Sequence, residues 1–447
     1  MSIASKSQTI YTGCADIRAA IREEDSTKGG GLITTLGDQI RELFSRRFVM
    51  LWKKTDVMGD DGEGNQVVIG TTFTQEKRAY NASNITGNTY INDASIVAVI
   101  LPETCTQIGY VGSNAPDSGF LNCTNLTYIN TENIRAFGVR CFKNTNIEHV
   151  KCNYVTRICG GSFANCQNLK SFEILSGDSS FTKIDSYLGE NESCFYNCIN
   201  LEKVHLPSTI NEIRPATFYG CSKLSEFVIN GDGLFSVRNE SFRGCSSLVD
   251  FPVERISDEI GSYAFSGTRI KNGIITVPST VTTIGQYAFP NITTYLYIPS
   301  SVTTINAATG FVRGNSNLQT VEWYASLVPA LCFYNCPGIT SLTLGEGVTT
   351  IRHSAFYGTT SLTSLTIPST VTEFQQGLQY SGVREVIMRP TTPPTTGNVF
   401  DGMINFEKCY VPYSSDHSIL NAYKTATGWV RYASKIYELN PDGTIPV

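Results

Sequence analysis

The chain has little charge, no long apolar run and few of the residues that build chemical sites. Of its 447 residues 16% are charged, and the net charge of −5 leaves no basic face that would neutralise phosphates. The longest apolar run, Ile96–Leu101, is far shorter than the roughly 20 residues that cross a bilayer. We therefore expect neither a nucleic-acid partner nor insertion into a membrane.

Motifs of catalysis are also missing. The chain has four histidines, and none stands in a motif that pairs it with a nucleophile. No Gly-x-Ser-x-Gly elbow, phosphate loop or pair of carboxylates at catalytic spacing stands out. The sequence therefore predicts a protein that is not an enzyme and that needs no cofactor.

What the chain does have is a repeated unit, which is clearest in Phe356–Phe374. It reads Phe-x-x-(Cys/Thr/Asn)-x-x-Leu-x-x-(Leu/Val/Phe)-x-(Ile/Leu/Val)-Pro, followed by Val-x-x-Ile. A period of about 20 to 29 residues is typical of a leucine-rich solenoid, in which each coil has one strand and one irregular or short helical return. The first position, which we call the anchor, is filled by Phe120, Phe142, Phe163, Phe195, Phe218, Phe242, Phe265, Phe289, Phe311, Phe333, Phe356, Leu378 and Phe400.

The repeat predicts an α/β repeat solenoid, a leucine-rich repeat array of about 13–14 coils with one parallel sheet. In each coil the strand follows the Leu slot, so that inward residues such as Leu365 and Ile367 flank one outward residue. A proline, which lacks an amide donor, ends many of these strands. The boundaries that we predict are an N-terminal attachment module at 1–85, the solenoid at 86–412 and a C-terminal cap at 413–447.

The N-terminal module is expected to contain two short helices, at 16–24 and from Thr35, because apolar residues recur there at helical spacing. Phe48–Trp52 and Gln66–Ile69 flank the turn-rich segment Gly59–Asn65, which favours a hairpin. The first of these two segments could instead prolong the second helix. A solvated hairpin loop explains the acidic turn better than a calcium site, since the ordered ligands of an EF-hand are missing.

The C-terminal cap is expected to cover the open end of the solenoid. Ile419–Trp429 is predicted to be a helix and Lys435–Leu439 a strand. Trp429 and Tyr432 are expected in the core of this cap.

The fourteen cysteines are explained mainly by the repeat. Six of them stand three residues after an anchor, in a slot that other coils fill with threonine. A slot shared by Cys and Thr requires a small side chain, and buried free cysteine behaves as a small hydrophobe. The pairs Cys194/Cys198 and Cys332/Cys336 look like metal ligands, but zinc needs four convergent ligands, so no metal site is expected. The six are Cys123, Cys166, Cys198, Cys221, Cys245 and Cys336.

Binding is expected where the repeat leaves side chains free, at the outward strand position, because solenoids usually bind along an extended face. The insertions Gly109–Gly119 and Ser176–Asn191 are candidate binding loops, with tolerated surface loops as the alternative. The candidate ligand-binding residues are Lys151, Glu173, His205, Tyr297, Glu322, Thr343, Thr366 and Tyr410.

Two stretches of the repeat, Ser361–Phe374 and Val277–Phe289, resemble the BspA-like (Treponema-type) leucine-rich repeat family, and the resemblance covers most of the chain. The segment Tyr410–Trp429 is similar to the cap common in that family. The resemblance implies either a surface adhesin that binds host proteins or a virion protein of a phage that infects gut bacteria. It implies no catalytic residues.

The beginning of the chain points to the second of these functions. Met1–Lys6, Ile17–Ile21 and Leu36–Leu43 resemble the small helical module of phage tail-associated proteins, and no signal sequence for general secretion is recognisable. We therefore expect a phage tail or fibre component in the virion, attached to other virion proteins through residues 1–85. Its solenoid would bind a protein or glycan on a cell surface. A cell-surface adhesin exported by another route and an intracellular scaffold are the alternatives.

Overall fold

The structure, a computed structural model, describes residues 48–60, 66–79, 84–112, 115–185, 193–289, 292, 294–306, 312–395, 397 and 399–446. These residues form a parallel-sheet solenoid of leucine-rich repeats with about 15 turns and little helix. The predicted solenoid is confirmed, while the returns of the coils are turns rather than helices. The chain divides into two compact units, which we describe separately. The first runs up to Thr209 and includes Val228–Asn230, and the second comprises Ile210–Phe227 and Gly231–Val447.

Most strands are short. In chain order they are β1 (Phe48–Asp60), β2 (Gln66–Ala79), β3 (Asn84–Ile85), β4 (Ile96–Ile100), β5 (Gln107–Ile108), β6 (Tyr128–Ile129), β7 (Ala136–Phe137), β8 (His149–Val155), β9 (Arg157–Ile158), β10 (Ser171–Gly177), β11 (Lys203–Leu206), β12 (Glu212–Ile213), β13 (Glu226–Ile229), β14 (Phe235–Val237), β15 (Ile256–Ile260), β16 (Ile274–Thr276), β17 (Val281–Gly285), β18 (Tyr295–Ile298), β19 (Thr304–Asn306), β20 (Thr320–Trp323), β21 (Leu327–Val328), β22 (Ser341–Leu344), β23 (Thr350–Ile351), β24 (Ser364–Ile367), β25 (Glu373–Phe374), β26 (Glu385–Met388), β27 (Lys408–Val411) and β28 (Ile436–Glu438).

Helix is scarce in the described part of the chain. The one α-helix there is α1 (Ser418–Thr425), and 3-10 turns occupy Val253–Arg255, Ile270–Gly273 and Val430–Lys435. None of these helices is long and apolar enough to cross a membrane. The helices predicted at 16–24 and from Thr35 lie outside the described residues.

The N-terminal hairpin is part of the solenoid sheet. β1 pairs antiparallel with β2 along its whole length, and it also pairs antiparallel with β4, where Leu51 lies opposite Val99. Lys53 Nζ donates a hydrogen bond of 2.9 Å to Asp93 Oδ2, which fixes the hairpin to the next turn of chain. The boundary predicted at residue 85 therefore falls inside a continuous sheet, because edge strand β4 accepts β1 as its neighbour.

Each coil adds a strand to two rows, where the sequence predicts one sheet. The long row follows the Leu slot and contains β4, β6, β8, β10 and β11 in the first unit and β16, β18, β20, β22, β24, β26, β27 and β28 in the second. A short row arises from the Val-x-x-Ile half of the repeat, as in the parallel pairing of Ile351 with Phe374. As predicted, several long-row strands end immediately before a proline, at Pro207, Pro299 and Pro368.

A third set of contacts joins coils at what we call the turn edge, the segment from two residues before each anchor to the Leu slot six residues after it. The amide of Phe242 donates to the carbonyl of Ala264 in the next coil at 2.9 Å, and the amide of Gly244 donates to Ser266 at 2.7 Å. The residue two positions after the anchor has a left-handed backbone, with φ of +80° at Gly244. Most coils place Gly or Asn there, because these residues adopt positive φ at least cost.

The anchors stack through the interior. In the first unit the rings of Tyr90, Phe120, Phe142, Phe163 and Phe195 follow one another at centroid distances of 5.2, 5.7, 5.6 and 5.4 Å. Phe218, Phe242, Phe265 and Phe289 continue the pattern in the second unit. All of these rings are buried. Offset aromatic pairs of this kind add about 0.5–1.5 kcal/mol each beyond the area that they bury.

One predicted anchor is displaced by one residue. Phe311 lies outside the described residues, and the structure places Val312 in the anchor slot instead. Its amide donates to Cys332 O at 3.2 Å, and its carbonyl accepts the Cys336 thiol at 3.1 Å, as anchors do in other coils. The backbone register decides this, because Gly314 then occupies the left-handed position with φ of +76°.

The small slot after the anchor uses its polar atom in two ways. Cys245 Sγ donates to the anchor carbonyl of the preceding coil, Phe218 O, at 3.1 Å. Thr268 Oγ1 donates instead to the anchor carbonyl of its own coil, Phe265 O, at 2.7 Å. Burial raises the pKa of the Cys123 thiol to about 12 and that of Cys336 to about 11. These cysteines are therefore protonated structural groups, as the repeat predicts.

In the first unit the left-handed position carries a ladder of asparagines. Asn122, Asn144, Asn165 and Asn197 each donate a side-chain N–H to the amide oxygen of the asparagine in the preceding coil, the first of them to Asn92. The four distances are 2.7, 2.6, 3.1 and 3.2 Å. Asparagine therefore serves two purposes here, since it tolerates positive φ and also joins neighbouring coils.

The C-terminal cap packs around Trp429, which is fully buried. Its indole N–H donates to Pro394 O at 3.1 Å, and its ring meets Phe400 edge-on at 5.6 Å. α1 ends at Thr425, four residues before the predicted end of the helix. β28 pairs in parallel with β27, so the cap also extends the long row by one strand.

We predict that the asparagine ladder contributes measurably to stability. Asn144→Gly keeps the positive φ but removes both side-chain hydrogen bonds, and it should lower the free energy of unfolding by about 1–2 kcal/mol. Asn144→Ala should cost about 1 kcal/mol more, because alanine is strained at this φ. Urea unfolding followed by circular dichroism measures both. Asn146→Ala, outside the ladder, is the control, and equal midpoints for Asn144→Ala and this control would contradict the role of the ladder.

We also predict that the thirteen described cysteines, all of them buried, are unreactive in the folded protein. Burial raises the pKa of Cys105 to about 11, so its thiolate fraction at pH 8 is far below that of an exposed thiol. In a Cys14→Ser background, Ellman's reagent should label no thiol within minutes until guanidinium is added. Ser246→Cys supplies an exposed thiol as the positive control. Rapid labelling of Cys105 in the native protein would refute this assignment.

Candidate binding surface

The outward residues of the long row stand side by side, in register. In the first unit Lys151, Glu173 and His205 are direct neighbours on β8, β10 and β11. In the second unit Tyr297, Glu322 and Thr343 are direct neighbours on β18, β20 and β22. The structure thus brings the predicted residues together within each unit, because parallel pairing aligns equivalent positions of successive coils.

The group in the first unit is polar and mixed in charge. Lys151 is exposed, while Glu173 and His205 are half-buried. Lys203 Nζ lies 3.8 Å from Glu173 Oε1, so a second cation flanks this carboxylate. An exposed ion pair of this kind contributes about 0–1 kcal/mol and fixes no geometry. This group therefore offers adaptable polar contacts rather than a preformed site.

The second unit has a more ordered group, the tyrosine–glutamate patch, made of Tyr295, Tyr297, Glu322 and Tyr324. Tyr295 Oη donates a hydrogen bond of 3.0 Å to Glu322 Oε1. The rings of Tyr297 and Tyr324 lie 5.5 Å apart at an angle of 43°. All four side chains are half-buried, so each has both a packed and an accessible surface.

Packing holds the patch in place. Burial, followed by the hydrogen bond to Glu322, raises the pKa of Tyr295 to about 12, so its hydroxyl remains a donor at neutral pH. The Tyr324 ring lies directly over Gly345 of the next coil. A Cβ built at Gly345 would be 2.1 Å from Tyr324 Cδ1, so only glycine leaves room for this ring. The patch is therefore rigid before any partner binds.

The remaining candidates differ in accessibility. Thr343 and Thr366 are exposed, and Thr366 lies beside Ile387 in the pairing of β24 with β26. Tyr410 is only 3% exposed, and the structure therefore removes it from the candidate surface. The reason is that β28 adds a strand beyond β27, which places Tyr437 next to Tyr410 with ring centroids 6.2 Å apart.

The two inserted segments are largely packed in the parts that the structure describes. Gly109 lies against Gly138 of the next coil, so closely that a Cβ at Gly138 would be 2.3 Å from the Gly109 carbonyl carbon. In the second insertion Phe181 and Ile184 are buried, and residues 186–192 lie outside the described part. The accessible apolar residues of the first insertion are Tyr110 and Val111.

Sequence reasoning missed Tyr295 and Tyr324. Tyr295 could have been found from the alternation Tyr295-Leu296-Tyr297, which presents two tyrosines on one face of a strand. Tyr324 follows its strand directly, in a position that other coils fill with proline, and its placement depends on Gly345 one coil later. That dependence is between coils, and no single repeat reveals it.

No cluster of three or more possible metal ligands occurs among the described residues. The histidines are dispersed there, with His149 Nδ1 2.8 Å from Ser171 Oγ and His417 Nδ1 2.6 Å from Glu438 Oε2. What the surface offers is therefore hydrogen bonds, aromatic edges and scattered charge.

Comparison with solved structures supports the fold. A leucine-rich repeat protein from Bacteroides ovatus is 20% identical, covers 87% of this chain and 98% of its own, and gives a TM-score of 0.52. A leucine-rich cell surface protein from Faecalibacterium prausnitzii is 21% identical over 62% of this chain and 87% of its own, with a TM-score of 0.27. The pneumococcal vaccine antigen PcpA is 12% identical over 86% and 99%, with a TM-score of 0.31. No curated protein matches the chain.

The family is shown by the sequence itself. The model of the BspA type leucine-rich repeat region matches residues 83–191, 191–294 and 258–385, and together these ranges cover more than half of the chain. They coincide with the coils described above, from β3 to β26. The chain therefore belongs to the BspA-type leucine-rich repeat proteins.

Proposed function

We propose that this chain is a non-enzymatic recognition protein that acts at a cell surface, where its tyrosine–glutamate patch binds a protein partner. The observation that carries the proposal is the rigid, half-exposed set of Tyr295, Tyr297, Glu322 and Tyr324 on adjacent long-row strands. Tyrosine is enriched at the centres of protein interfaces because it supplies large contact area and a hydroxyl at low entropic cost.

The architecture supports this proposal from the other side. Inward positions of the coils are filled by anchors, small slots and leucines, and nearly all of them are buried. Only outward positions are left to contact a partner. Because each coil adds about 4.8 Å along the row, a partner that spans several coils contacts several strands at once.

Between the two surface functions expected from the sequence, the adhesin is favoured. The virion function depended on the resemblance of residues 1–45 to phage proteins, and these residues lie outside the described part of the chain. The family match concerns the repeats alone. We therefore propose a location at the surface of the producing cell.

The patch can be tested by quantitative binding of the labelled protein to intact epithelial cells. Tyr297→Ala should weaken binding by about 10-fold or more, since truncation of a central tyrosine commonly costs 2 kcal/mol or more. Glu322→Gln should weaken it less. Thr366→Ala, an outward residue beyond the patch, is the control and should leave binding unchanged.

Trypsin treatment of the target cells should abolish binding if the partner is a protein. Two results would overturn the proposal. One is full binding by a Tyr297→Ala/Glu322→Gln variant with an unchanged circular dichroism spectrum. The other is failure of a specific antibody to label the protein on intact producing cells.

A further inference from the structure

The turn edge of the second unit carries a continuous column of tyrosine and arginine side chains. In its first part, the guanidinium of Arg243 lies between two rings, 5.6 Å from the centroid of Tyr219 and 5.0 Å from that of Tyr263. Tyr263 then stacks on Tyr287 at 5.2 Å. These four residues, which we call the first column, come from four consecutive coils.

The next four coils repeat this composition in a second column. The guanidinium of Arg313 lies 4.7 Å from the Tyr334 centroid. Tyr334 stacks almost parallel on Tyr357 at 4.4 Å and 9°, and Tyr357 meets Tyr380 at 5.1 Å and 57°. Arg313 and Tyr380 are exposed, Tyr380 to 52%, while the two central rings are half-buried.

The columns are assembled from different positions of the repeat. Tyr219, Tyr334 and Tyr357 directly follow the anchor, whereas Tyr263 precedes it by two residues. Tyr380 stands in the left-handed slot, with φ of +53°, where Gly or Asn is usual. A bulky residue at positive φ is an energetic cost. The fold alone does not require a tyrosine there, so the continuity of the column points to a use of the surface.

The same edge is basic within an acidic chain. In the eight coils anchored from Phe218 to Leu378, the turn-edge segments contain six basic residues and one acidic residue, while the whole chain has a net charge of −5. The acidic residue is Glu240, which pairs with Arg243 at 3.4 Å. The basic residues are Lys223, Arg243, Arg269, Lys271, Arg313 and Arg384.

Three of these cations are available for a partner. Lys223, Arg269 and Arg313 have no carboxylate within 4 Å among the described residues. By contrast, Lys271 pairs with Asp250 at 3.2 Å and Arg384 with Glu407 at 3.6 Å. Charge complementarity therefore favours an anionic partner along this edge.

We propose that the turn edge of the second unit, centred on Arg313, Tyr334 and Tyr357, binds a linear anionic polysaccharide that carries carboxylate or sulfate groups. Guanidinium groups bind such oxyanions directly. Tyrosine hydroxyls between them donate hydrogen bonds to the anions and to sugar hydroxyls. Coils repeat about every 4.8 Å, close to the length of one sugar ring, so a regular polymer meets an equivalent contact in each coil.

The geometry of the stack favours a polysaccharide over a nucleic acid. Nucleobases bind single-strand proteins by stacking on open aromatic faces. Both faces of Tyr334 are covered, one by Arg313 and the other by Tyr357, so its accessible part is the ring edge with the hydroxyl. Partial burial and the neighbouring Tyr334 raise the pKa of Tyr357, which keeps its hydroxyl protonated as a donor.

The proposal does not depend on the tyrosine–glutamate patch, which lies on long-row strands. Polysaccharide binding without any effect of Tyr297→Ala would leave this proposal intact, whatever the outcome of the cell-binding experiment. Loss of cell binding in Tyr297→Ala alone would likewise not bear on the turn edge.

The test uses fluorescently labelled heparin and hyaluronan of defined length as anionic probes and dextran as the neutral control. The wild-type protein should bind at least one anionic probe in low salt, release it as salt is raised, and show no binding to dextran. Arg313→Gln should weaken binding at least fivefold and make its salt dependence shallower. Tyr334→Phe/Tyr357→Phe, which keeps the stack but removes the hydroxyls, should also weaken it.

Arg352→Gln is the matched control, because Arg352 is exposed but pairs with Glu373 at 3.0 Å outside the turn edge. It should bind as the wild-type does. The proposal is overturned if neither anionic probe binds more tightly than dextran, or if Arg313→Gln and Arg352→Gln bind equally. Equal binding of an oligo(dT) of matched charge, lost in the same variants, would also overturn it in favour of a nucleic-acid surface.

Discussion

The structure depends on one constraint, that every coil must bond to the next at its sharpest turn. The amides two residues before the anchor, at the anchor and two residues after it all donate to carbonyls of the following coil, as Ala216, Phe218 and Gly220 show at 2.9, 2.8 and 2.8 Å. Three donors can point the same way only if the backbone becomes left-handed on either side of the anchor. This explains the Gly and Asn residues after the anchors, and it also fixes where the anchor ring enters the core.

Because the turn consumes its polar groups, the interior is left to packing. The anchor rings stack, and the slot beside them must be small enough to lie under the next turn while it donates to an anchor carbonyl. Cysteine and threonine meet both conditions by different bonds, as Cys245 and Thr268 show. A thiol that is buried and hydrogen-bonded in this way has a raised pKa and no access to solvent, which is why so many cysteines bring no redox or metal chemistry.

The sequence was sufficient for what each repeat determines alone. Period, anchors, proline-terminated strands and outward residues were all readable, since they depend on spacing within one coil. The short row was missed because two residues such as Thr350 and Ile351 are too few to give a strand pattern. The anchor at Val312 was missed because ring size suggested Phe311, while backbone register selects the residue two before Gly314. The burial of Tyr410 was missed because it comes from β28, a strand outside the repeat.

The two rows and the turn edge differ in how freely they can evolve a surface. On the long row the pleat allows an outward side chain at every second position, so neighbours such as Tyr297 and Glu322 are fixed in register. At the turn edge, side chains from before, beside and after the anchor reach the same line, as Tyr263, Tyr357 and Tyr380 demonstrate. Each coil thus has several ways to place a large side chain there. A continuous column is easier to build at that edge than on the sheet, and a long repetitive partner is what such a column matches.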